Sequence, residues 1–88
     1  MNYLKSVFWD YPRLQDEESL RNVIQIGRSQ GDEKRIQWVM ARFLEYGRVV
    51  DTFKFFTIHE IAENLKQLRL SQYARGKWTR LVEVYCGS

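Results

Sequence analysis

The sequence predicts an all-α single domain, a compact bundle of about five short helices occupying residues 1–88. Three observations predict it. Apolar residues recur at three- and four-residue intervals along most of the chain, capping residues and glycines punctuate those runs, and strand-like alternation is weak throughout. With 88 residues, 44% of them hydrophobic, and a single proline, the chain has material for one core and no second. Three tryptophans spread through it, Trp9, Trp38 and Trp78, give each part of the chain a large ring to bury.

The first long helix is expected over 17–29. Asp16, Glu17 and Glu18 supply a cap and first-turn negative charge, and Leu20, Val23, Ile24 and Gly27 follow at helical spacing. Gly31-Asp32 breaks it. Ile36, Val39, Met40, Phe43 and Leu44 then form the cleanest stripe in the chain, and Gly47 is expected to end it in the left-handed C′ conformation. The bundle is expected to be built around this second helix.

Residues 49–56 read as a short connecting helix from Val49, Val50, Phe53 and Phe56, although the β-prone residues gathered at 49–58 keep a two-stranded ribbon as the alternative. Thr57-Ile58-His59-Glu60 matches a capping box, in which Thr57 and Glu60 each satisfy one orphan backbone N–H, and Ile58, Ile61, Ala62, Leu65 and Leu68 continue the helix. Ser71 is placed to cap the last helix, whose apolar face is Ala74, Trp78, Leu81, Val82 and Tyr85, with Gly87 beyond its end. Gly76 sits inside that helix, where glycine costs about 1 kcal/mol relative to alanine. A close backbone approach from a neighbouring helix or a partner would account for it, and helix packing is the simpler expectation.

The net charge of +3 hides an asymmetry. Between residues 64 and 82 stand Lys66, Arg69, Arg75, Lys77 and Arg80 with no acid, while the rest of the chain sets nine basic residues against all eleven acids. These cations are read either as solvated side chains whose stems cover the core or as a surface for an acidic partner.

No catalytic pair can be assembled. His59 is the only histidine and Cys86 the only cysteine, so zinc and Cys-His or Ser-His chemistry lack their parts, and no disulfide can form within the chain. Isolated glycines form no phosphate loop, and no metal or cofactor is expected. No apolar run approaches the roughly 18 residues needed to cross a bilayer, and residues 1–12 lack a secretory h-region, so the expectation is a cytoplasmic protein with no membrane partner.

Residues 57–85 also read as two helices around a turn, which makes a helix-turn-helix DNA-binding regulator the alternative function. Gln72, Arg75, Thr79 and Arg80 would then face base edges and phosphates. The link at 65–71 is longer than such motifs use, and Trp78 and Leu81 must still face the core. Ahead of the first long helix, residues 1–15 form an arm carrying Phe8, Trp9 and Tyr11. It is expected to fold back over the bundle at 16–88, with an aromatic anchor inserted into another protein as the functional alternative.

Phe8-Trp9-Asp10, Glu45-Tyr46-Gly47, and Leu70-Ser71 followed by Trp78 resemble the pattern of a family of short uncharacterised prokaryotic proteins, a domain of unknown function with antitoxin-like members. The resemblance spans most of the chain and implies an all-helical fold and a small neutralising partner of another protein. Where that family has Leu-Ser-Pro-Lys, this chain has Gln72-Tyr73 after Leu70-Ser71. The leading expectation is therefore a non-enzymatic protein-interaction module. It would dock through Lys66, Arg69, Gln72, Arg75, Lys77, Thr79 and Arg80, or through Phe8, Trp9 and Tyr11, with a homo-oligomer also open.

Overall fold

The computed structural model describes residues 2–86. Gly87, expected just beyond the end of the last helix, lies outside them. Six α-helices follow in chain order: α1 Leu4–Val7, α2 Glu17–Ser29, α3 Glu33–Tyr46, α4 Val49–Thr52, α5 Ile58–Asn64 and α6 Gln72–Cys86. Turns of 3-10 helix at Pro12–Gln15 and Leu65–Gln67 link them, and there is no strand among the described residues. The chain is thus a single all-α domain, and the region where a ribbon competed holds α4 and a turn. No helix among the described residues is long and apolar enough to cross a membrane.

Local chemistry sets the helix boundaries. Asp16 accepts from the Ser19 N–H at 3.0 Å and Asp32 from the Arg35 N–H at 3.1 Å, so α2 and α3 both begin on an aspartate cap. Between them Gly31 takes a φ of 66°, the left-handed turn that returns α3 against α2. Gly47 differs from expectation, because its backbone is extended (φ −94°, ψ 169°). Glycine is needed there for space: a Cβ would stand 2.9 Å from the Phe43 carbonyl oxygen and 3.2 Å from Val7 Cγ2. The tightest of these contacts is with the backbone of α3 itself, and Val7 of α1 crowds the same space.

The core gathers around α3, which packs against α1, α2, α4 and α6. Val39, Met40, Phe43 and Leu44 are buried, as the stripe predicts, and Trp78 of α6 is fully buried beside them. Each such side chain contributes about 1.5–3 kcal/mol on burial. The described part of the arm, 2–15, is more than a cover: Leu4, Val7 and Phe8, at i, i+3, i+4, are buried members of the same core. That spacing is helical, although only one turn long. Tyr85, expected on the apolar face of α6, is exposed.

Two further expectations are corrected. Thr57 accepts from the Glu60 N–H at 3.1 Å, but the Glu60 carboxylate leaves the reciprocal half of the box unmade and pairs instead with both terminal nitrogens of Arg28 in α2. That bond holds the Arg28 guanidinium pKa above its ordinary value. Gly76 meets nothing within 4 Å where its Cβ would stand, so no helix among the described residues packs against that position.

Candidate functional site

One guanidinium stands within 6 Å of five aromatic ring centroids. Arg42 lies on α3 between Trp38 and Tyr46, at i−4 and i+4, so the three form a stripe flanking the buried one. Its side chain is 14% exposed. Nε donates to the Val7 carbonyl at 3.0 Å, and a terminal nitrogen donates to the Asp10 carboxylate, which fastens the segment after α1 across the flank of α3. The charge is thereby neutralised within the chain.

Five rings surround it. The guanidinium carbon is 4.7 Å from the centroid of Trp9, 5.3 Å from those of Phe8 and Tyr11, 5.4 Å from Trp38 and 5.6 Å from Tyr46. The rings also hold one another edge-on, with Trp9 and Tyr46 centroids 4.7 Å apart and Tyr11 and Trp38 5.1 Å apart. Phe8 is fully buried, so of the three expected anchor residues it serves the core. Trp9 and Tyr11 stay partly exposed, Trp9 at 54%, and Tyr46 is exposed at 49% beside Trp38. The result is an aromatic face of two indoles and two phenols on a packed frame.

A groove of about 520 Å³ borders this face along α3, where Lys34, Trp38, Tyr46 and Glu45 meet Arg69. Glu45 accepts from the backbone N–H of Ser71 at 2.9 Å and from its Oγ at 2.7 Å. Ser71 Oγ in turn accepts from the Ala74 N–H at 3.1 Å, capping α6 as expected.

The basic residues do not line one groove. Arg69 belongs to the one beside Trp38, whereas Lys77 and Arg80 line a second groove with Val49 and Leu81. Arg75 is committed inside the chain: its guanidinium donates to the Leu65 carbonyl at 2.9 Å and to that of Leu68, closing the carbonyl end of the Leu65–Gln67 turn. Gln72, Thr79 and Lys66 are exposed. Glu83, one helical turn after Thr79, puts a carboxylate on the same exposed side of α6.

Sequence reasoning missed Trp38, Arg42 and Tyr46 as site residues. Their four-residue spacing was the available signal, but an arginine between two aromatics on an amphipathic helix reads equally as a solvated flank. No family model, curated protein or solved structure matches the chain.

Proposed function

We propose that this chain is a non-enzymatic protein-interaction module that docks on a partner protein through Trp9, Tyr11, Trp38 and Tyr46. The observation that carries the reading is the clamping of these rings around Arg42, itself satisfied by Val7 and Asp10. Trp, Tyr and Arg dominate the energetics of protein interfaces, and rings already fixed before binding lose little entropy on docking. The Arg42 guanidinium, paired and only 14% exposed, also has little solvation left to lose on docking.

The antitoxin-like reading has a related support. The residues that carry the family resemblance meet at one end of α3: Asp10 binds Arg42, Trp9 packs on Tyr46, Ser71 binds Glu45, and Trp78 binds Leu44. A small neutralising protein needs such a fixed surface and no catalytic groups of its own. Duplex DNA remains the alternative ligand for α6, with less support, because Arg75 is used internally and Glu83 flanks Thr79.

Affinity capture from the source cells, with the wild-type chain and a Trp9→Ser/Tyr46→Ser variant as parallel baits, tests the proposal. The wild type is expected to retain one protein in stoichiometric amount that the variant loses. Equal retention by both baits, or retention of nucleic acid alone with a steep salt dependence, would overturn it.

A further inference from the structure

The second groove, about 510 Å³ between α4 and α6, shares no residue with the aromatic face. Val49 and Leu81 lie along it. Tyr73, Lys77, Arg80 and Val84 rise from α6 at i, i+4, i+7 and i+11, a single stripe roughly 16 Å long. The apolar ends of the stripe are bare, Tyr73 at 80% and Val84 at 73% exposure. Between them, neither Lys77 nor Arg80 forms an ion pair among the described residues.

Gly76 adds an independent sign. It lies in the middle of α6, lines this groove, and has open space where a Cβ would be, so no contact within the described chain requires a glycine there. A helix-interior glycine is unfavourable by itself, and a second backbone passing close over it from outside supplies the missing reason.

We infer that this groove is a second docking surface, which receives an acidic amphipathic helix from a partner protein with Gly76 as the point of closest approach. The charge order selects that occupant. An incoming helix with two carboxylates one turn apart, bracketed by apolar residues, matches Lys77 and Arg80 between Tyr73 and Val84. A second copy laid antiparallel on the same stripe would bring Lys77 of one chain against Arg80 of the other, a like-charge pairing. A nucleic-acid backbone would satisfy the cations and leave Tyr73 and Val84 in water.

The test titrates the isotopically labelled full chain with two synthetic amphipathic peptides. They are identical except for glutamate or lysine at the two inner positions of a leucine-flanked face. The glutamate peptide is expected to shift the amides of Val49, Gly76, Lys77 and Arg80 saturably, and the lysine peptide to bind at least about tenfold more weakly. Gly76→Leu, whose Cβ meets no atom of the described residues within 4 Å, is expected to reduce the glutamate peptide's affinity about tenfold or more while melting no lower than the wild type.

Equal binding of the two peptides, shifts elsewhere, or indifference to Gly76→Leu would overturn the inference. So would concentration-dependent shifts of these amides without peptide, which would assign the groove to a second copy. Equivalent shifts with duplex DNA would assign it to nucleic acid and overturn it as well. The Trp9 and Tyr46 variant reads the aromatic face separately, so either surface can fail alone.

Discussion

The buried indole N–H of Trp78 donates to the backbone carbonyl of Leu44 at 3.1 Å. Leu44 lies in the last turn of α3, where carbonyls have no partner within the helix, so α6 supplies the acceptor's missing donor and the ring that covers it. Trp78→Phe removes the donor and part of the ring. It is expected to cost about 2–3 kcal/mol in urea denaturation followed by circular dichroism, with an unchanged helical spectrum before the transition.

Arg42 is the corresponding tie for the first fifteen residues. Arg42→Met keeps much of the stem but strands the Val7 carbonyl and the Asp10 carboxylate, so a loss of about 1–3 kcal/mol is expected. Trp9 should move into water, read as a red shift in tryptophan emission. Arg42→Lys is not expected to rescue it, because one ammonium lacks the planar fork that reaches both acceptors.

Two glycines are expected to respond in opposite directions to alanine. Gly76→Ala meets open space and should stabilise α6 by about 0.5–1 kcal/mol. Gly47→Ala brings a Cβ to 2.9 Å from a backbone carbonyl oxygen and should cost about 1–3 kcal/mol. Thermal melts of both variants beside the wild type check the pair.

Tyr3 sets an alkaline limit. Its buried hydroxyl oxygen has no hydrogen-bond partner among the described residues, and desolvation, followed by the Glu17 and Asp51 charges, raises its pKa above 10.0. The folded chain therefore holds this proton more tightly than the unfolded chain does. Its contribution is fully present below the ordinary phenol pKa and is lost as pH rises through the folded value. Tyr3→Phe should be neutral or slightly stabilising at pH 7, and should flatten the decline of stability with pH above about 10, measured by urea titration.

Helices α2 and α3 were legible because their signals are local and redundant. The Asp16 cap placed the start of α2, the Gly31-Asp32 break separated it from α3, and the Ile36-to-Leu44 stripe placed α3. The one-turn α1 was not legible, because Leu4, Val7 and Phe8 are too few to distinguish a helix from an arm until α3 lies beneath them. The fate of charged side chains was equally hidden. Glu60 had a local partner and an equally good distant one in Arg28, and Arg75 spends its donors on carbonyls that only the folded turn at Leu65–Gln67 presents.

For the site, Trp9 and Tyr11 could be named from the sequence, with Phe8, as candidate anchors on an arm expected to fold back, whereas their ring partners on α3 depend on where the arm lands. The apparent run of positive charge at 64–82 divided between two grooves for a similar reason. Neighbours in sequence on either side of a turn need not share a surface.

Hydrogen–deuterium exchange of the chain, alone and in complex with the partner retained on capture, tests the central claim most directly. Docking on the aromatic face predicts new protection in the segment that carries Trp9 and Tyr11 and along α3 from Trp38 to Tyr46. Protection confined to other elements, with these two segments exchanging as they do in the free chain, would contradict it.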